Sequence, residues 1–393
     1  MTSTQNSFDA TELEPEGIAK GDPLLKMLSG IKASPILLGV AYSLMFMSVR
    51  AFAAWRAGHL RTVGTVTGFF DDPALYTNLI SGAVVWAYYT WMPRGIVTVF
   101  KGFYGNGVIG APIPSMHEKE EKRTNVSFTE EMQASFGRWW WCAASLAIAA
   151  SATFILVLPP YLAMGQNAYW SAETLSLILS LLWMLIGLYC VVLLLIYSVL
   201  GIYWLSRLFN NFTIYVRPLH PDRAGGLSPL GNFTLMLSYI IAVIGIMFVS
   251  TPITRNYQAV GTWRFRWTTE LLVGLGIYVV AAPTVFFAPL SVAHNAMKEA
   301  KDQLLLQIAR RFEKEYSRIR EVLDEDVPSL EYSSKILENS SKILGELQTL
   351  HDTTSKFPVW PFNVSNVTRF GTSYVSPIAI AILIDLLGEI VTP

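Results

Sequence analysis

Residues 174–208 read TLSLILSLLWMLIGLYCVVLLLIYSVLGIYWLSRL, and Arg207 is the one charged side chain among them. A helix crosses the hydrocarbon core of a bilayer with about 20 apolar residues. The run is longer than one crossing needs, so this helix is predicted to tilt or to project into water. A β-barrel would require short alternating strands, and the continuous apolar run therefore predicts a helical membrane protein.

The composition of the whole chain points the same way. Of its 393 residues, 52% are apolar and 15% are charged, whereas a soluble domain carries about 25% charged residues. The net charge is zero, which indicates no general attraction to nucleic acid. Cys142 and Cys190 both lie in predicted spans and are interpreted as small apolar core residues rather than as a disulfide. The polar N-terminus lacks the pattern of a cleavable signal peptide.

Hydropathy predicts an all-α, polytopic protein with about seven transmembrane helices. Besides 174–208, the spans are predicted at about 33–55, 78–100, 138–162, 233–253, 269–292 and 370–391. Proline removes a backbone hydrogen bond. We therefore expect a kink or helix end at Pro93 in the second span and breaks at Pro283 and Pro289 in the sixth.

The chain divides into four predicted parts. Residues 1–32 form a polar arm, disordered at its start, in which Asp22 and Pro23 open a short amphipathic helix. Residues 33–292 form a bundle of six spans with a polar segment at 101–136. Residues 293–369 form a helical hairpin and an elbow, and residues 370–393 form the final span.

The hairpin is predicted from an apolar stripe set among charged residues. The stripe consists of Leu304, Leu305, Ile308, Phe312, Ile319, Val322 and Leu323, which recur at helical spacing. The sixth helix should therefore leave the bilayer and continue in water. A second amphipathic stretch at 336–350 should fold back antiparallel, so that the stripe is buried against the hairpin itself or against a neighbouring subunit.

Loop charges orient the spans, because cytoplasmic loops carry an excess of Lys and Arg. The loop 163–171 lacks both and is predicted outside. The segment 101–138, the loop with Arg217 and Arg223, and residues 298–369 are basic and predicted inside. This places the N-terminus inside and the C-terminus outside. The loop with Arg255, Arg264 and Arg266 argues against this orientation, but it is outweighed by the three larger loops.

Two short strings resemble a group of uncharacterised bacterial multi-pass membrane proteins, for which no activity is implied. They are His220-Pro-Asp-Arg-Ala-Gly-Gly-Leu227 and Pro358-Val-Trp-Pro-Phe362. The predicted layout, with a cytosolic helical layer before a short last helix, is also similar to that of the insect chemoreceptor channels. That resemblance is topological, and it implies a last helix that lines a tetrameric pore.

The last span holds the strongest candidate for a pathway. Asp385 and Glu389 are four residues apart and share one helix face, and ionisable groups in a membrane usually face a cavity, a partner or a pathway. Ser373 and Ser376 are further pathway candidates. In a ring of subunits the acids would form the stacked carboxylates of a cation pore. Alternatively, they pair with arginines of neighbouring helices, or Glu389 lies at the surface.

Arg50 and Arg94 are the candidate intramembrane charge partners. Each is predicted to extend its charged end to the membrane surface, and the alternative for Arg50 is an ion pair with Asp385 or Glu389. The candidate gating residues are His220, Asp222, Gly225 and Gly226 in one loop, and Trp360 and Pro361 in the elbow. The favoured interpretation of the loop is a tight turn capped by the acid. The elbow is interpreted as an anchor, with Trp360 and Phe362 at the interface.

Signatures of catalysis are absent from the sequence: it contains no phosphate-binding loop, dinucleotide fingerprint, zinc helix or nucleophile elbow. The prediction is therefore no enzyme, no cofactor and no metal site. The favoured function is a homo-oligomeric ion channel or channel-like pore in a bacterial inner or plasma membrane, with the lipid bilayer, other copies and ions as partners. The alternatives are a non-conducting scaffold or sensor that recruits a partner through the hairpin, and a secondary transporter.

Overall fold

A computed structural model describes residues 10–31, 33–64, 66–112, 128–158, 170, 173–216, 220–222, 224–260, 269–324, 330–357, 359–361 and 364–391. The helices are α1 (Pro15–Ala19), α2 (Pro23–Ser29), α3 (Pro35–Arg56), α4 (Pro73–Gly105), α5 (Phe128–Phe136), α6 (Trp139–Ala152), α7 (Thr174–Asn211), α8 (Ser228–Val260), α9 (Thr269–Asp324), α10 (Leu330–Ser355) and α11 (Val364–Val391). A π-helical turn, Thr153–Val157, extends α6. Strands β1 (Ile109–Pro112) and β2 (Phe212–Ile214) pair antiparallel.

Four helical segments in the described residues are long and apolar enough to cross a membrane. They are Pro35–Arg56, Thr174–Asn211, Ser228–Met247 and Gly274–Leu323. The prediction of a helical chain with membrane-crossing helices is therefore confirmed. The bundle forms around close helix pairs. In α3, Gly39 lies against Ala83 and Ala87 of α4, where a Cβ atom would clash with the neighbouring backbone.

The N-terminal segment from Ala10 to Ser29 is part of the core and is not a free polar arm. Leu13, Ile18 and Leu28 are each 0% exposed, and they pack in one cluster with residues of α4 and α5. The predicted helix after Asp22 is confirmed, because α2 begins at Pro23 with Asp22 as its cap. Residues 1–9, predicted to be disordered, lie outside the described residues.

The prolines of the spans do not end their helices. Pro93 lies inside α4, and Pro283 and Pro289 lie inside α9. The predicted breaks in the sixth span are therefore wrong. Instead, α9 runs without interruption from the apolar part of the bundle to Asp324.

Contacts between α9 and α10 show that these helices pack antiparallel. The Ser340 hydroxyl donates to Glu315 Oε2 at 3.4 Å, and Lys301 Nζ donates to the Ser355 carbonyl at 2.6 Å. The middle of α9 therefore lies beside the end of α10, and the end of α9 lies nearer the start of α10. At its base, the hairpin joins the end of the bundle that holds β1, β2 and the 220–227 turn, since Phe357 packs in the same cluster as Leu227.

Candidate functional site

Helices α9 and α11 are joined by hydrogen bonds close to their prolines. Proline has no N–H, so Pro283 leaves the carbonyl of Val279, four residues earlier, without its helical donor. The Tyr374 hydroxyl of α11 donates to this Val279 oxygen at 3.2 Å. A neighbouring helix thus supplies the hydrogen bond that the proline removes, which is how prolines are tolerated in membrane helices.

A related contact runs in the opposite direction near Pro377 of α11. This proline frees the Ser373 carbonyl, which accepts a hydrogen bond from the Ser376 hydroxyl at 2.9 Å. The Tyr278 hydroxyl of α9 donates to the Tyr374 carbonyl at 3.0 Å and approaches the Ser373 carbonyl at 3.5 Å. We call this arrangement of Tyr278, Val279, Pro283, Tyr374 and Pro377 the proline joint.

Aromatic rings and a close glycine pack the proline joint tightly. The rings of Tyr278 and Tyr374 stack with centroids 5.8 Å apart, and Phe286 stacks on Phe370 at 4.1 Å. From α8, Gly245 approaches both Tyr278 and Pro377, where a Cβ atom would lie 2.7 Å and 3.0 Å from their side chains. The joint therefore connects three helices.

The elbow before α11 is fastened to α9 beyond the joint. The Trp360 ring stacks on His294 at 4.2 Å, and His294 Nδ1 lies 2.8 Å from the Val359 carbonyl oxygen. Lys301 Nζ donates to the Phe357 carbonyl at 3.1 Å, and Pro361 is buried. Phe362 lies outside the described residues. The elbow is thus a fixed connection between the hairpin and α11.

The four pathway candidates do not share one face of α11. Ser373 and Ser376 donate their hydroxyls to carbonyls of their own helix, those of Phe370 and Ser373. Ser376 precedes Asp385 by nine residues, which is about half a turn out of register at 3.6 residues per turn. Asp385 and Glu389 lie within the helix, but their side chains are outside the described set.

Arg50 is enclosed by the bundle and does not extend to the membrane surface as predicted. It is 4% exposed, its guanidinium lies 5.0 Å from the centre of the Trp170 ring, and Nη2 donates to the Ser180 hydroxyl at 3.3 Å. Trp170 Nε1 in turn donates to the buried Asp72 carboxylate at 3.2 Å. Arg50 therefore already has partners between α3 and α7, and its pairing with Asp385 stays a prediction.

Arg94 has a structural contact at the start of the first span. It is half-buried, and its guanidinium donates to the Ala33 carbonyl at 3.2 Å. Ala33 directly precedes Ser34, the residue that caps α3. Arg94 thus fixes the entry of α3 against the middle of α4.

The described residues of the 220–227 loop form a turn that caps α8. Asp222 Oδ1 accepts the N–H groups of Ala224 and Gly226 at 2.9 and 3.0 Å, and Oδ2 accepts that of Ser228, the first residue of α8, at 3.2 Å. Burial on its own would raise the pKa of the Asp222 carboxyl. The backbone hydrogen bonds and the imidazole of His220 together have the larger effect, so the pKa lies below its usual 3.8.

Glycine is required twice in this turn. Gly225 and Gly226 have φ values of 67° and 95°, which only glycine adopts readily. His220 Nδ1 lies 2.7 Å from Asp222 Oδ1. The four residues predicted as gating candidates therefore build a helix cap, and a role for them in gating stays a prediction.

Sequence reasoning missed the proline joint and a second polar cluster around Asp22. The Asp22 carboxylate is 0% exposed. It accepts hydrogen bonds from the Tyr89 hydroxyl and from the N–H groups of Leu24 and Leu25, and Cys142 Sγ donates to the adjacent Gly21 carbonyl at 3.3 Å. The signal available for the joint was a tyrosine three to five residues before a proline in each of the two spans.

No family model, curated protein or solved structure matched this chain. The resemblances of the 220–227 and 358–362 strings and of the chemoreceptor layout therefore stay predictions.

Proposed function

We propose that the chain is the subunit of a homo-oligomeric, channel-like membrane protein whose last helix borders the ion path. The membrane-spanning helices would be α3, α4, α6, α7, α8, α9 and α11, with the N-terminus and the hairpin in the cytosol. A bacterial inner or plasma membrane is the proposed location. The path would run along the edge of α11 that carries Asp385 and Glu389.

The proline joint is the observation that carries this proposal. Because α9 is continuous from the joint to the hairpin, we expect movement of the hairpin to reach the joint along one helix. At the joint, two tyrosine hydroxyls transfer that movement to α11. Helices interrupted by proline have fewer internal hydrogen bonds and bend at those positions. The arrangement suits a protein in which a water-exposed domain repositions a membrane helix.

Contacts at the two ends of the bundle support the proposed orientation. At one end, Asn106 donates to the Gly226 carbonyl at 2.7 Å, and the same end holds the base of the hairpin. At the other end, the Trp170 backbone N–H donates to the Thr67 carbonyl at 3.1 Å. The end with Asn106 and the hairpin base holds the segments with basic loops. The end with Trp170 holds the 163–171 loop, which lacks Lys and Arg. This distribution agrees with the rule that basic loops face the cytoplasm.

Conductance in a planar bilayer tests the proposal. The purified protein should pass cations in preference to anions, and Asp385→Asn should lower that preference while leaving the particle mass unchanged. Asp302→Asn, which removes an exposed carboxylate from the hairpin, is the matched control and should conduct like the wild type. Absence of ion flux under every condition, together with a normal mass, would overturn the channel proposal.

A non-conducting scaffold or sensor is the second candidate, and the exposed face of α11 favours it. Beyond Phe370, the described exposed residues of α11 are Thr372, Val375, Ala379, Ile382 and Leu383, and all but one are apolar. Such a face suits lipid better than an aqueous path. Under this alternative, Asp385→Asn should lower the melting temperature, because a buried partner is lost, and no variant should conduct.

A further inference from the structure

The part of α9 beyond the bundle carries two separate apolar seams. One seam faces α10, where Ile308 is 5% exposed and Glu315 receives the Ser340 hydroxyl. Leu304 and Val322 lie on the same side by helical register and are half-buried. This seam is occupied within the hairpin.

The second seam has a coiled-coil repeat and is left largely open by the described residues of the single chain. It consists of Leu305, Ala309, Phe312, Tyr316, Ile319 and Leu323, which follow one another at alternating steps of four and three residues. Phe312, Tyr316 and Leu323 are 39%, 57% and 67% exposed, and the rings of Phe312 and Tyr316 are parallel, 6.5 Å apart. Alternation of this kind places side chains at the a and d positions of a helix interface.

We infer that the second seam packs against the same seam of other copies of this chain, with the α9 helices parallel. This inference rests on the proposed homo-oligomer and names its contact surface. Copies in one membrane project their hairpins in the same direction, so the seams meet in parallel.

The charge of the surrounding surface also suits a second copy. Basic and acidic residues alternate along 298–324 in nearly equal numbers, so two hairpins do not repel each other through a net charge. If the partner were strongly acidic or basic, the surface around the seam would be expected to carry mostly charges of the opposite sign. The exposed apolar row, with mixed charge on both sides, is typical of an interface between like helices.

Disulfide crosslinking of the full-length protein in its native membrane tests the inference. Tyr316→Cys lies in the seam, whereas Lys314→Cys is exposed at the f position two residues earlier. The wild type, which has Cys142 and Cys190, gives the background level of crosslinked dimer. After mild oxidation, Tyr316→Cys should give about tenfold more linked dimer than Lys314→Cys, because a and d side chains of facing helices meet and f side chains point away.

A second pair of variants uses charge. Phe312→Glu should lower the particle mass in detergent, whereas Lys314→Glu should leave it unchanged. Equal crosslinking at 314 and 316, or an unchanged mass for Phe312→Glu, would overturn the inference. An oligomeric particle that fails both tests assembles through another surface and leaves the proposed function standing. If the protein crosslinks at residue 316 but passes no ions, the inference about the seam stands and the channel proposal is overturned.

Discussion

Tyr374→Phe removes one hydroxyl from the proline joint and leaves the ring in place. The Val279 carbonyl then loses its donor, because Pro283 provides no N–H. A polar group without a partner destabilises a fold by about 1–3 kcal/mol, but side-chain hydrogen bonds measured inside membranes average about 0.6 and reach about 1.7 kcal/mol. We therefore expect a loss of about 1 kcal/mol, close to a fivefold change in the unfolding equilibrium constant.

Tyr278→Phe is the matched variant and should have a smaller effect. After this change, the Ser373 carbonyl still accepts the Ser376 hydroxyl at 2.9 Å. The Tyr374 carbonyl keeps the N–H of the residue four positions later, which is not a proline. Since neither acceptor is left without a donor, the expected loss is below about 0.5 kcal/mol.

Reversible unfolding in mixed micelles of increasing SDS content measures both losses. A Pro283→Ala background provides the sharpest control, because alanine restores the N–H that bonds the Val279 carbonyl. In that background Tyr374→Phe should have little effect. If Tyr278→Phe is as destabilising as Tyr374→Phe, or if the loss persists in Pro283→Ala, the explanation of the joint by freed carbonyls is wrong.

Two further predictions concern the other polar clusters. Asp22→Ala should destabilise the protein by about 2–3 kcal/mol, because α2 loses its cap, worth about 1 kcal/mol, and the buried Tyr89 hydroxyl loses its acceptor. The micelle unfolding assay measures this loss, and a value under about 0.5 kcal/mol would contradict the role of the N-terminal segment in the core. The carboxyl of Asp222 has a lowered pKa, so its contribution to folding stability is present above pH 3.8 and disappears as the pH falls through the folded-state pKa. The stability difference between wild type and Asp222→Ala should therefore vanish on acidification. A difference that stays constant with pH would refute the capping role of Asp222.

The long apolar helices could be predicted from the sequence because the bilayer imposes a local requirement. Most residues of α7 must be apolar whatever their neighbours are, and the predicted start at residue 174 agrees with the observed helix Thr174–Asn211. The hairpin was predictable for a similar reason, because an amphipathic period appears within each helix alone.

The N-terminal segment and the prolines could not be predicted in this way, because distant residues determine them. Leu13 and Ile18 are isolated apolar residues in a polar stretch, and their burial depends on residues of α4 and α5. The local effect of Pro283 is to remove a hydrogen bond, but Tyr374 replaces it from 91 positions further along the chain.

Side-specific labelling determines whether the hairpin projects on the cytosolic side of the membrane and the 57–72 loop on the other. Val63 is 59% exposed in that loop, and Lys342 is exposed on α10, so single cysteines at these positions accept a membrane-impermeant maleimide wherever it reaches them. In intact cells Val63→Cys should be labelled, and Lys342→Cys should be labelled only after the membrane is permeabilised. Labelling of both variants in intact cells, or of Lys342→Cys alone, would contradict the account.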